Sequence, residues 1–217
     1  MNIMTDRKAK IRAHYEHRIT SDRAGFSIAD WTSAETQRAR FEVFAENVNV
    51  AGKSLLDIGC GTGDLLAFLQ LNGIAADYTG VDILEKMVRE SQKRNPAGRF
   101  ICADIFCEDA VNEHPICAQR FDVVFCSGAF NLNLGNKHEF LPRALGRMFD
   151  LAREHVVFNL LHARSEFRDR VCVYYNPVEI RRILEPYDSE IRIIEDYLPN
   201  DFTVICRKNH NKTADAN

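Results

Sequence analysis

The stretch Lys53-Ser-Leu-Leu-Asp-Ile-Gly-Cys-Gly-Thr-Gly-Asp-Leu-Leu-Ala-Phe-Leu69 leaves this chain few folds to choose from. Lys53 to Ile58 is a short apolar run that stops at glycine, the pattern of a strand covered on both faces. Gly59, Gly61 and Gly63 follow as a tight turn. Leu65, Leu66, Phe68 and Leu69 then recur at helical spacing. A strand that passes through bare backbone into a helix opens an α/β ligand-binding fold. Glycine lets a ligand approach the main chain, and the helix start supplies free N–H groups.

The rest of the chain extends this unit. Strands are expected at 77–82, 99–103, 121–125 and 155–160. Helices are expected at 64–72, from about Leu84, from about Leu141 to Arg153 with Pro142 in its first turn, and over 177–185. In the last of these, Asn176-Pro-Val-Glu179 reads as an N-cap, proline at N1 and glutamate at N3. Ile191–Ile194 and Phe202–Ile205 lie too close for a helical crossover, so they must pair antiparallel. Before the first strand, residues 5–19 carry Ile11, Tyr15 and Ile19 at four-residue steps, and 20–31 read as a loop. Thr32-Ser-Ala-Glu35 fits a capping box for a helix to about Asn49. Its inward face, Phe41, Phe44 and Val48, also carries Gln37 and Arg40. Those two either bond to nearby backbone or sit at the edge of the face, or they face a ligand. The organisation expected is an N-terminal helical cap over 1–50, a catalytic or binding domain over 51–207 and a disordered polar tail over 208–217.

The 217 residues carry a net charge of -3, which gives no reason to expect a nucleic-acid partner. No apolar run nears the ~18 residues of a membrane span, and the start is polar, without a secretory leader. The seven cysteines show no CxxC pair, so neither zinc nor any other metal is expected. Free thiols in that number point to a reducing cytoplasm.

In open α/β sheets ligands bind beyond the carboxyl ends of the parallel strands. That rule collects Gly59, Gly61 and Gly63 from the first strand, Asp82 from the second, Asp104 from the third and Ser127 to Asn131 from the fourth. Asp82, nineteen residues after Gly63, is placed to accept from a ribose diol. For both aspartates the alternative is capping of the segment that follows.

Leu-Leu-Asp-Ile-Gly-Cys-Gly-Thr-Gly resembles the first motif of class I S-adenosylmethionine-dependent methyltransferases. The resemblance runs over about 53–207 and includes Gly-Val-Asp82, Cys-Ala-Asp104, the Phe-Asp-Val-Val-Phe run and the reversed hairpin. It implies a three-layer Rossmann-like sheet of order 3-2-1-4-5-7-6 with strand seven antiparallel. It further implies S-adenosylmethionine as cofactor. Asp57 would then hold the turn, and Gly59, Cys60, Gly61 and Gly63 would back the methionine part. Asp82 with Ile83 would take the ribose, Asp104 and Ile105 would border the adenine, and Ser127 would lie near the methionine end. A nicotinamide dehydrogenase, the rival on this fold, needs G-x-G-x-x-G where the chain has G-x-G-x-G.

The acceptor site needs a roof. Tyr15, Trp31, Gln37 and Arg40 of the N-terminal helices, Phe130 and Asn131 after strand four, and Tyr197 in the last hairpin are the candidates. Asp201 or His162 would serve as a base where the acceptor carries a proton. The loop after strand four lacks the Asn/Asp-Pro-Pro-aromatic motif of members that methylate nucleic-acid bases, and it lacks the acidic cluster of metal-dependent catechol-type members. The arginines from Arg164 to Arg182 are interleaved with acids and read as an ordinary charged face. A small-molecule acceptor is therefore expected. Action on protein or RNA, and a non-catalytic cofactor-binding role, are the alternatives. The acceptor and the oligomeric state are not legible.

Overall fold

The computed structural model describes residues 3–107 and 114–209. Helix α1 (Ile3–Tyr15), a 3₁₀ turn (Glu16–Arg18), α2 (Gly25–Ile28) and α3 (Ala34–Asn47) come first. Then follow β1 (Ser54–Ile58), α4 (Asp64–Leu71), β2 (Asp77–Asp82), α5 (Glu85–Arg94) and β3 (Arg99–Cys102). After a 3₁₀ turn at Pro115–Ala118 come β4 (Phe121–Ser127), α6 (Lys137–Leu151), β5 (Ala152–Leu161), α7 (Pro177–Leu184), β6 (Ser189–Ile194) and β7 (Asp201–Lys208).

The seven strands form one sheet in the order β3-β2-β1-β4-β5-β7-β6. The first five are parallel, and β7 runs antiparallel to both β5 and β6. This is the expected topology, and its cause is local. The link 195–200 cannot hold a crossover helix, so β7 must turn straight back along β6.

Neighbouring residues on each strand point to opposite layers. Leu56, Val124, Cys126, Val156 and Phe158 meet Leu141, Leu145 and Met148 of α6 and Ile180 and Leu184 of α7 on one face. Leu55, Val123, Phe125 and Val157 meet Phe41 and Phe44 of α3 and Leu65 and Leu69 of α4 on the other. Phe44 stacks on Phe125 with ring centres 4.3 Å apart. This clamps α3 to the middle of the sheet and directs its N-terminal half over the strand ends.

Several boundaries differ from the sequence reading. Ser33, not Thr32, caps α3, and its box closes with Thr36 at N3. Ser33 is the residue in extended conformation, so its hydroxyl is the one that reaches the N3 amide. The segment 20–31 contains α2, whose Ile28 is buried against Leu84 and Met87. Helix α6 starts at Lys137 and carries Pro142 in its interior. An interior proline costs ~3 kcal/mol. Burial of Phe140, Leu141, Leu145 and Met148, each contributing ~1.5–3 kcal/mol, outweighs it. Strand β5 starts at Ala152 rather than at His155, and β7 extends to Lys208, which pairs with Ser189. The expected polar tail falls outside the described residues beyond Asn209.

Candidate functional site

The carboxyl ends of β1 to β5 border a cavity of about 830 Å³. The glycine turn forms its floor. Gly59, Gly61 and Gly63 all have left-handed backbones, with φ of 75°, 55° and 82°. The amides of Gly59 and Cys60 both donate to the carbonyl of Val81, at 2.8 and 3.1 Å, which ties the turn to β2. A Cβ on Gly61 would meet no protein atom within 4 Å, so bare backbone faces open space there. Gly63 behaves differently. It caps α4 and is absent from the cavity wall. A Cβ there would come within 2.7 Å of Asn95 and 2.9 Å of Phe100. Its lack of a side chain serves packing against Asn95 and Phe100.

Asp82 is buried at the end of β2. Its Oδ2 accepts from the amide of Gly61 at 3.2 Å and its Oδ1 from that of Leu84 at 2.9 Å. Asp82 thus anchors the start of α5, as the capping alternative has it, and it also lines the cavity. Each oxygen keeps a lone pair for a further donor. Burial raises its pKa to about 6, against the pull of those amide hydrogen bonds. Asp57 lies beneath the turn and accepts from the Tyr78 hydroxyl at 2.7 Å. Burial raises it to about 7, the Tyr78 bond opposes this, and the charges of Asp82 and Asp64 add to it.

Asp104 lines the cavity with Ile83 and Ile105. Its Oδ1 accepts from the Phe106 amide and its Oδ2 is held by Arg7 of α1. Ser127 ends β4, and its buried hydroxyl has no partner among the described residues. A buried hydroxyl left unpaired on a cavity wall is suited to a polar ligand group.

The roof comes from the N-terminal helices. Tyr15, Trp31, Gln37 and Arg40 all line the cavity, as does Asn131. Gln37 donates to Asp64 at 3.1 Å. Arg40 reaches Asp201 through Nε at 2.9 Å and also through Nη2. Its guanidinium lies 4.2 Å from the centre of the Trp31 ring. Trp31 in turn covers Gly128, where a Cβ would come within 2.7 Å of the indole.

Phe130, Tyr197, Asp201 and His162 do not reach the wall. Phe130 is buried among Phe106, Phe140 and Phe158. Asp201 is fully buried behind the wall. Its second oxygen accepts from Asn159 at 3.2 Å and from Tyr197 at 2.7 Å. His162 has both ring nitrogens engaged, Nε2 with Glu195 and Nδ1 as acceptor from the Arg164 amide. Neither residue presents a free lone pair to the cavity, so the expectation of a base at either position is not supported.

Sequence reasoning missed other parts of the wall: Arg7, His14, Asp30 and the segment 167–172. It also missed Gly25, where a Cβ would come within 2.2 Å of the Asp64 carboxylate. That contact seats α2 on the glycine turn. No signal local to these residues marks them, because each acts across a large sequence separation.

Comparison with known proteins agrees with this geometry. A family model described as a methyltransferase domain matches residues 55–155. A Mycobacterium tuberculosis protein classed as a methyltransferase is 30% identical over 166 residues, covering 71% of this chain and 93% of its own length. The trans-aconitate 2-methyltransferase of Escherichia coli K12 is 31% identical over 126 residues, 53% of this chain. The match spans only 45% of that enzyme. Among solved structures, the magnesium protoporphyrin IX methyltransferase of Synechocystis PCC 6803 with bound S-adenosylmethionine superposes with a TM-score of 0.67 at 17% identity. The match covers 96% of this chain and 98% of that one.

Proposed function

The chain belongs to the class I S-adenosylmethionine-dependent methyltransferases, and on that premise we propose that it methylates a small organic acceptor held in the cavity beneath α1 and α3. The observation that carries this reading is the convergence on one cavity of a bare glycine turn, a buried carboxylate with spare lone pairs and an orphaned buried hydroxyl. A volume of about 830 Å³ lies toward the upper end of the ~300–1,000 Å³ typical of small-molecule sites, which supports room for both a cofactor and an acceptor. The names of relatives also support it, since trans-aconitate and phthiotriol dimycocerosates are organic molecules rather than polymers.

S-adenosylmethionine supplies an electrophilic methyl group on a positively charged sulfur. In our reading Asp82 accepts hydrogen bonds from the ribose hydroxyls, and Ile83, Asp104 and Ile105 border the base. The Gly59–Gly61 backbone and Cys60 back the amino-acid part, Asp57 supports that backbone from below, and Ser127 satisfies its hydroxyl on the same part. Trp31, Tyr15, Gln37 and Arg40 close the roof and exclude water. Fixing the acceptor in line with the methyl group is then the main catalytic contribution, since orientation alone can supply ~7–11 kcal/mol of a barrier. Seven free cysteines support a reducing, cytoplasmic location.

The test is twofold. S-adenosylmethionine or its demethylated product at ~100 times its dissociation constant should stabilise the protein by ~2.7 kcal/mol, and NAD should not. Methyl-labelled S-adenosylmethionine incubated with a small-molecule cell extract should give a labelled product. Stabilisation by NAD alone would end the reading. Stabilisation by the sulfur ligands without any transfer would favour the non-catalytic alternative.

A further inference from the structure

Among the described residues one imidazole lines the cavity, that of His14. It comes from α1 rather than from the sheet. Its Nε2 lies 2.8 Å from Oδ2 of Asp30, and Oδ1 of Asp30 pairs with Arg18 at 2.7 Å. Both carboxylate oxygens are thereby committed, and the ring is held from one side. A carboxylate only accepts, so Nε2 must carry the proton of the neutral ring. The bare lone pair is then on Nδ1. No bond from another described residue occupies that nitrogen, in contrast to His162, where both nitrogens are taken.

The placement of Asp30 is itself unusual. It is the one described non-glycine residue with a left-handed backbone, φ 62°. Such a conformation persists only where its surroundings impose it, and these positions cluster at functional sites. The neighbouring Trp31 is wedged between Gly128 and Arg40. Asp30 thus stands next in the chain to a residue that covers the loop after β4, and His14 bonds it there. The other acids on the floor and inner wall are held differently. Asp57 takes a tyrosine hydroxyl, Asp64 takes Thr62 and Gln37, Asp82 takes two amides, and Asp104 takes Arg7 and an amide. Among the described residues, Asp30 is the wall carboxylate that orients an imidazole.

We propose that His14, oriented by Asp30, is the catalytic base of the methyl transfer, and that the methylated atom bears a proton in the free acceptor. The acceptor is then a hydroxyl or a protonated amine, not a carboxylate. The inference rests on the reading of this cavity as the transfer site. A protonated amine gives up its proton first; the acceptor's lone pair then forms the bond to the methyl carbon as the carbon–sulfur bond breaks, and the electron pair of the broken bond stays on sulfur. The acceptor's proton passes to Nδ1 of His14 and from there to water. The imidazolium charge faces the Asp30 carboxylate meanwhile.

The experiment uses the full chain with methyl-labelled S-adenosylmethionine and a small-molecule cell extract, on the native protein and on His14→Ala, His14→Gln and Asp30→Asn. Stabilisation by the demethylated product is measured in parallel for each. Base removal typically costs ~10²–10⁴-fold in rate. We expect that loss in both His14 variants, with the ligand-induced rise in melting temperature kept. We also expect partial recovery of His14→Ala by added imidazole, an intermediate loss in Asp30→Asn, and a label that resists mild alkali. Transfer by the His14 variants within about fivefold of native would overturn the inference while leaving the methyltransferase reading intact. A label released by mild alkali as volatile methanol, the behaviour of a carboxylate ester, would overturn it likewise. Loss of the stabilisation in the His14 variants, without imidazole rescue, would make His14 a structural support of the roof and also refute the proposal. A native protein that transfers nothing would instead defeat the reading on which the inference stands.

Discussion

Replacing Asp57 by asparagine should make the ligand-free protein more stable, and by an amount that grows with pH. Asp57 is buried beneath the glycine turn, and burial moves its pKa from 3.8 to about 7. A carboxyl raised in this way lends its stability fully below the unfolded value. That stability is lost as the pH rises through the folded one. A difference of about three pH units corresponds to ~4 kcal/mol. By linkage, about 1.5 kcal/mol of this is already lost at pH 5 and about 4 kcal/mol at pH 8. Asparagine keeps an acceptor for the Tyr78 hydroxyl, 2.7 Å away in the native chain, and has no charge to bury. Any fixed cost of the swap cancels when the two pH values are compared. The advantage of Asp57→Asn over native should therefore widen by ~2.5 kcal/mol from pH 5 to pH 8. At a urea dependence of ~2.5 kcal/mol/M, this is about 1 M in the unfolding midpoint. Asp82, raised to about 6, should give the same trend with a smaller slope in Asp82→Asn. Urea titrations at the two pH values, followed by circular dichroism, decide it. Parallel behaviour of native and Asp57→Asn across that range would refute the account of a charge held in place against its solvation.

Three further outcomes follow from the same geometry. Arg40→Met should cost ~3–5 kcal/mol, because it strands Asp201 as an unpaired buried carboxylate, and adding Asp201→Asn should recover part of that. Since burial already raises Asp201 and Arg40 opposes it, the single variant should weaken further as pH rises, and strictly additive losses in urea would contradict the pairing. Binding of the demethylated cofactor product, followed by calorimetry, should weaken as pH falls through about 6, where Asp82 gains a proton, and should be lost in Asp82→Ala; an affinity indifferent to both would remove Asp82 from the site. Gly128→Ala should cost ~1–2 kcal/mol for its left-handed backbone and displace the indole of Trp31, the single tryptophan of the chain, so that an unchanged emission spectrum would count against the roof as described.

What was legible in the sequence is what local chemistry enforces. The turn after β1 announces itself through glycines that must adopt positive φ. The reversed hairpin follows from a link too short for a crossover. Asn176 caps α7 through its own side chain, which accepts from Val178. The roof was harder to read, because its contacts tie residues far apart. Arg7 meets Asp104 across 97 positions and Arg40 meets Asp201 across 161. Periodicity places Arg40 on the inward face of α3, but not its partner: the guanidinium bonds Asp201, and Arg40 also lines the cavity.

Asp201 too meets partners far along the chain. Its place at the cavity end of β7 was right, but a strand sends alternate side chains to opposite layers. Asp201 shares a face with Thr203 and Ile205, the face that packs on α3, while Phe202 and Val204 enter the other layer. A carboxylate on that face meets Arg40, Asn159 and Tyr197 before it can meet a ligand. The network it makes there has a different use. It fixes Arg40, on which Trp31 lies, and Trp31 adjoins Asp30, the partner of His14. The residue expected to act as a base thus stands at the far end of a chain of contacts that leads to a different one.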